Sequence, residues 1–456
     1  MTRRAYTVRF CAVFLLLAAF ALRAQETKEA KVPAPRHMTL EEAVGLALKH
    51  NHVVRIAAFG VEEKRHARDV ARSGYYPVIR NDTTFAHITD TQFIGIPTGS
   101  LGNIGGTAIP AQTVVLNQGD PTFLISGTQL TQPISELWKV KSANDAANAE
   151  LKATRGKADQ TRNEVALQVH QIYYRILILQ SHKEAALAKI QASEAVQAES
   201  VEQVKFGSSL EEQAVESRAQ ALESKQDLLT TDLQLSDTIM KLNDVIGLPI
   251  NTPLNLETSL RQASQTCERE QCIRTALEAH PELLEARAKV DQASAAVRLA
   301  KRQYIPDVEA IARYSYTNNV PFLVHNFGTF GLHFGYDLFD GGRRNAEIGE
   351  RKAQQSQAEE NLARVKDEVE LRVQTAYNKL ERTREMMKVS EQLLALRTES
   401  HRVTAQQLQA GSALRSQAAT AEAHELEAKT MFLQSQLEYQ QASDEMTEAM
   451  GQTPED

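Results

Sequence analysis

Few residues in this chain could do covalent or metal chemistry. Of three cysteines, Cys11 lies in an apolar stretch near the N-terminus, and Cys267 and Cys272 stand with four residues between them. In an oxidising compartment such a pair can close a local disulfide; free thiols are the alternative, and a metal centre would need further ligands that are not close. A loop this short adds little stability, so its effect is to shape the turn before a helix beginning near Ile273. The glycines of Gly102-x-x-Gly105-Gly106 lack the strand-to-helix setting of a phosphate cradle, and Gly99-Ser100 lacks that of a nucleophile elbow. His50 and His52 are two apart, the wrong spacing for one helical face. No catalytic constellation forms, and the reading is of a chain that is not an enzyme and calls for no cofactor and no metal. Acidic and basic residues are interspersed with a net charge of −7, and no basic block suggests nucleic acid.

What these residues leave to explain is a set of elements, and the elements occur twice. Ala47-Leu48, Asn51 and Tyr75-x-Pro77 recur at Ala276-Leu277, His280 and Tyr304-x-Pro306, shifted by 229. Tyr173, Gly207, Leu210 and Gly247 recur at Tyr377, Gly411, Leu414 and Gly451, shifted by 204. The change of shift assigns about 25 extra residues to the first repeat, between Pro77 and Pro133. A duplication of this kind makes one double-length unit of what length alone would divide into separate domains.

The expected organisation is a signal peptide over 1–24, with Arg3 and Arg4 ahead of the apolar Phe10–Leu22 stretch, which is too short for a spanning helix. A retained membrane anchor is the alternative. A polar lead-in follows over 25–38, then repeat one over 39–247, an inter-repeat linker over 248–271, repeat two over 272–451 and a tail over 452–456. Thr39 and Glu42 form a capping box for a helix from Leu40, and Pro281 suits the first turn of its counterpart beyond the break. Pro77 and Pro306 end the next helices and open extended chain.

Strands are expected at 78–89, 122–132, 307–316 and 328–338. The clearest alternates Phe330, Leu332, Phe334, Tyr336 and Leu338 with Gly331, His333, Gly335 and Asp337. One face is aromatic and aliphatic and the other small or polar, as in a barrel strand between lipid and lumen. Phe93 to Pro121 carries loop chemistry. Long proline-free tracts then predict helical hairpins at 137–246 and 343–450, with apolar residues three and four apart at Val165, Val169, Ile172, Ile176, Leu179 and at Leu362, Val365, Val369, Val373, Ala376, Leu380. The hairpins turn at Gly207 and Gly411. Phe206, Leu210 and Leu414 are apolar at those tips, free either to cap the hairpins' own cores or to be covered by a partner. Trp138, the only tryptophan, stands where a strand becomes a helix and is expected to anchor at the membrane interface, with packing between helices as the alternative.

The paired Tyr-x-Pro helix ends, Leu338-Phe339-Asp340-Gly341-Gly342-Arg343, and the tips Phe206-Gly207 and Ala410-Gly411 resemble TolC-type outer membrane efflux proteins, over a stretch from about Thr39 to Gly451. The resemblance implies a mainly α protomer with membrane β: four transmembrane strands plus long antiparallel coiled-coil helices. It implies a homotrimer with a 12-stranded β-barrel in the outer membrane and a helical barrel in the periplasm. It further implies an exit duct for efflux or type I secretion, docked to a periplasmic adaptor (a membrane fusion protein) and an inner-membrane pump of RND or ABC type. Independently of the resemblance, four strands cannot close a barrel, so the chain must oligomerise if they span lipid. Two departures stand out. Repeat one has Ser135-Glu136-Leu137-Trp138-Lys139 where repeat two has Phe339-Asp340-Gly341-Gly342-Arg343. Gln417 and Thr420 occupy positions where many family members carry the aspartates of an acidic periplasmic entrance. Glu211, Glu212 and Glu216 could replace that ring or be ordinary solvated charge. The competing class is a periplasmic or surface coiled-coil structural protein without transport activity.

Overall fold

The computed structural model of the protein describes residues 36–89, 93–117, 121–258, 267–320 and 324–454. The signal-peptide reading and most of the lead-in lie outside the described residues. Repeat one opens with β1 (Arg36–Met38), α1 (Leu40–His50) and α2 (His52–Ser73). The Thr39 hydroxyl accepts the Glu42 N–H at 3.2 Å, but the Glu42 carboxylate turns to Arg36 at 2.6 Å, so only half of the capping box forms. At the break between the helices the Asn51 side chain accepts the Val53 N–H. Its counterpart His280 accepts the Glu282 N–H through Nδ1, so two different residue types cap the second helix of each repeat in the same way.

The strands β2 (Val78–His87) and β7 (Thr122–Pro133) follow, and between them the chain is more ordered than its loop-like composition indicates. There β3 (Phe93–Ile96) pairs with β6 (Val114–Asn117), and β4 (Asn103–Ile104) with β5 (Thr107–Ala108). The extra residues of repeat one thus build two small strand pairs of their own between β2 and β7. Helix α3 (Leu137–Lys205) runs for 69 residues, about 100 Å at the α-helical rise. After the turn at Gly207, α4 (Glu211–Ile246) returns beside it.

The linker contributes a strand. Its β8 (Leu254–Leu256) lies parallel to β1, with Arg36 opposite Leu254, so the polar lead-in and the linker form a two-stranded sheet. Tyr173 of α3 fastens that sheet, its hydroxyl donating to the carbonyls of Met38 (3.0 Å) and Glu257 (2.8 Å). Burial pushes the Tyr173 phenol up to about 12, so it stays a donor throughout the physiological range. Repeat two then gives α5 (Arg269–Ala279), α6 (Pro281–Arg302), β9 (Asp307–Asn318), β10 (Asn326–Gly335), α7 (Arg343–Gln409) and α8 (Arg415–Ala449). Strand β10 ends at Gly335, three residues short of the expected boundary.

Packing follows the duplication. Val165, Val169 and Ile176 of α3 sit in one core with Val44, Leu242 and Ile246, while Val369, Val373 and Leu380 of α7 sit in another with Leu283, Met446 and Ala449. Each repeat seals itself with a left-handed glycine after its last helix. A Cβ on Gly247 (φ +74°) would lie 2.7 Å from His50 Cβ, and one on Gly451 (φ +82°) 2.7 Å from His280 Cα. The principal contacts order the long helices as α4, α3, α8, α7, with α2 packed on α3 and α6 packed on both α3 and α7. The four-stranded sheet runs β10-β9-β7-β2, antiparallel throughout. No helix among the described residues is long and apolar enough to cross a membrane.

Candidate functional site

Three surfaces carry the residues singled out by the sequence: the sheet, the strand-to-helix junction and the hairpin tips. In the sheet, directly paired residues share a face. Phe330, Leu332 and Phe334 stand opposite Ala312, Ala310 and Val308, and across β7 and β2 the same face continues through Leu130, Leu124, Ile79 and Phe85. Phe330 is 88% exposed, so this face has no cover within one chain. The opposite face carries Arg80, Asp82, Gln129, Glu309, Arg313 and His333. Ser315 and Thr317 on that face are buried while Tyr314 and Tyr316 are exposed, as expected if the polar side is concave.

A polar patch within the apolar face satisfies itself. Asn81 donates to Thr128 Oγ1 at 2.8 Å, and the Thr83 hydroxyl lies 2.8 Å from both Asn81 Oδ1 and Ser126 Oγ. A surface facing hydrocarbon needs such internal pairing, because lipid supplies no partner.

At the junction, Tyr336 stands just beyond the sheet. Arg344 sits 5.0 Å from the Tyr336 ring centre and 5.3 Å from that of Tyr304. Arg344 also donates to the Asp337 carbonyl and, through Nε, to Asp340 at 2.7 Å. This grip draws the chain off the sheet after Gly335. Asp340 in turn accepts the backbone N–H groups of Gly342 and Arg344, capping α7, and the Arg344 guanidinium holds its carboxyl below the usual range. In repeat one Ser135 does a different job: its hydroxyl accepts the Val308 N–H at 2.8 Å, stitching the start of α3 to β9. Lys139 pairs with Asp307 at the same level. Trp138 is exposed beside this belt, and so are Leu338 and Phe339.

At the tips, Gly207 (φ +69°) and Gly411 (φ +70°) adopt the left-handed conformation that closes each hairpin. Phe206 is 85% exposed, Leu210 69% and Leu414 48%. Far from these, Cys267 and Cys272 are joined as a disulfide with a Cα–Cα distance of 5.7 Å. Cys272 is fully buried in the core of repeat two.

Sequence reasoning missed the charged staples between the repeats. His170 of α3 lies 2.6 Å from Asp444 of α8, which also accepts from the Tyr174 hydroxyl. Arg372 of α7 grips Glu282 of α6, and Gln160 of α3 donates to the same carboxylate. Nearby, burial pushes the Glu448 carboxyl up against the pull of Arg372, and Glu282, Glu164 and Glu445 raise it further. An acid whose folded value is raised binds more protons in the folded state, so it lowers stability as pH rises past the ordinary value of 4.5. Glu448→Gln is therefore expected to raise the Tm at neutral pH, with the gain gone near about pH 4. A gain of equal size at both pH values in thermal scans would refute this.

Residues 272–452 match the family model described as outer membrane efflux protein. The matched segment runs from α5 to just past the end of α8. The resemblance seen in the sequence is thereby borne out over that segment. The channel CmeC of Campylobacter jejuni is similar at a TM-score of 0.73 and 14% identity, with 90% of this chain and 85% of that one covered. VceC of Vibrio cholerae gives 0.70 and 14%, covering 91% and 96%. The open state of the MtrE channel of Neisseria gonorrhoeae gives 0.70 and 15%, covering 91% and 89%. No curated protein sequence matches the chain. At these identities the likeness to efflux channels is one of fold.

Proposed function

We propose that this chain is the outer-membrane exit duct of a tripartite efflux or type I secretion system, working as a homotrimer. The observation that carries the reading is that both layers of the molecule stop at matching open edges. The sheet ends at β2 and β10, whose outer backbone groups need partners in lipid. The helical layer ends at α4 and α7, and each edge helix exposes apolar residues a heptad apart: Val215, Leu222 and Leu229 on α4, Val389, Leu396 and Val403 on α7. Further copies of the same chain satisfy both layers at once, pairing β10 with the next β2 and seating one stripe against the other. Three copies make 12 strands, enough for a water-filled lumen lined by the Arg80–Arg313 face.

In this reading the helices carry the tips some 100 Å from the barrel into the periplasm. There the exposed Phe206, Leu210 and Leu414 offer apolar contacts to the helical hairpin of an adaptor, which brings an inner-membrane pump of RND or ABC type. The duct is passive, and the transported compound is chosen by the pump. Outer-membrane fractionation with migration before and after boiling tests the reading. The expected result is a heat-modifiable oligomer in the outer membrane; a soluble periplasmic monomer would overturn it.

Trp138 supplies a second check. Reconstituted protein is expected to show Trp138 fluorescence quenched by lipids brominated near the headgroup, as for an interface anchor. Unchanged fluorescence would place the ring in a protein contact between copies.

A further inference from the structure

We propose that Arg313 sets the charge preference of the lumen, and that Gly127 keeps its guanidinium folded flat against the wall. The inference rests on the conduit reading above, in which Arg313 only lines the lumen and Gly127 has no role. Arg313 lies on β9, on the polar concave face, paired with Gln129 of β7. Gly127 is two positions along β7 on the same face. A Cβ built on Gly127 would lie 2.8 Å from Arg313 Nη2, 3.0 Å from Nε and 3.2 Å from Cζ. The whole planar group therefore lies over a glycine, in space that any other residue would fill. Gly127 is not in the left-handed region, so its backbone does not call for glycine. What it provides is room for the arginine.

The neighbouring charges leave Arg313 uncompensated. Asp82 is directly opposite Gly127 on β2, but Arg80 holds it at 2.9 Å. Arg313 makes no ion pair among the described residues. Glu309 is four positions along β9, about 13 Å away at the strand rise, beyond a Debye length of about 10 Å in 0.1 M salt. With three copies, 12 strands tilted about 40° enclose a wall of radius about 12 Å. Three guanidinium groups at one level of such a wall attract anionic groups of passing solutes, as charged rings do in other pores. Lying flat, they confer that preference without narrowing the path.

The test is planar-bilayer recording of the purified full-length assembly in a KCl gradient, with Arg313→Gln, Arg313→Lys, Gly127→Ala and the double variant Gly127→Ala/Arg313→Gln. Arg313→Gln is expected to shift the zero-current potential toward cation preference, and Arg313→Lys to keep the wild-type value. Gly127→Ala lifts the guanidinium off the wall, so single-channel conductance falls and the potential moves toward anions. The double variant regains the conductance, because glutamine has no guanidinium to lift. Arg313→Gln pores with the wild-type potential would overturn the proposal, as would a conductance loss from Gly127→Ala that persists in the double variant. Heat-modifiable migration checks assembly of each variant. Wild-type protein that forms no pore would instead sink the conduit reading, and this inference with it.

Discussion

Phe330→Arg is expected to cost roughly 2–4 kcal/mol per copy and to impair outer-membrane insertion, because in the proposed barrel it would set a charge against hydrocarbon near the middle of the strand. The structure grades the series. Strand β10 ends at Gly335, so Phe334 lies one residue from the helical side and Phe330 five. The penalty for arginine falls toward about 0–1 kcal/mol at the interface, so Leu332→Arg should be intermediate and Phe334→Arg mildest. His333→Leu, on the polar face, should assemble normally. Quantifying heat-modifiable oligomer in outer-membrane fractions gives the ranking. Normal assembly of Phe330→Arg alongside failure of His333→Leu would mean that the faces are reversed.

The other large effect is expected at the tips. Gly207→Asp or Gly411→Asp should abolish efflux while leaving oligomer level and location intact, because a carboxylate among Phe206, Leu210 and Leu414 opposes apolar docking. Both glycines sit at positive φ, so any side chain there adds backbone strain. Asparagine tolerates that conformation and carries no charge, which makes Gly207→Asn and Gly411→Asn the controls. Drug-susceptibility or secretion assays in cells lacking the native protein should show loss with aspartate and retention with asparagine. Loss of oligomer in both aspartate variants would make the tips folding elements rather than docking surfaces.

The legible parts of this fold share a physical cause. The long helices announce themselves because apolar residues recur every three or four positions through proline-free tracts, and the duplication doubles the signal. Strands β9 and β10 are visible because their faces differ chemically at every step. The β1–β8 pair was not visible: three residues at each end of a gap of more than 200 carry no periodicity, and the pairing depends on Tyr173. The hairpin of β3 and β6 hid behind glycine and proline, although Ile94 opposite Leu116 and Ile96 opposite Val114 are its apolar rungs. The overlong reading of β10 followed an alternation that continues through Tyr336 and Leu338, whereas the Arg344 grip on Asp337 and Asp340 ends the strand sooner. Arg313 was legible as a polar position only. Its relation to Gly127 is a diagonal between strands more than 180 residues apart, and register of that kind is settled by tertiary pairing.

Closure of the sheet by other copies is the claim on which the rest depends, and cysteine cross-linking across the β2–β10 seam tests it most directly. Single cysteines are placed along β2 and along β10, combined in one chain, oxidised in outer membranes and resolved by denaturing electrophoresis after boiling. The account predicts that pairs at one register give a boiling-resistant ladder ending at three times the protomer mass. Pairs shifted by one residue, whose side chains point to opposite faces, should give none. A ladder ending at two, one extending past three, or monomer at every register would contradict a closed three-copy barrel.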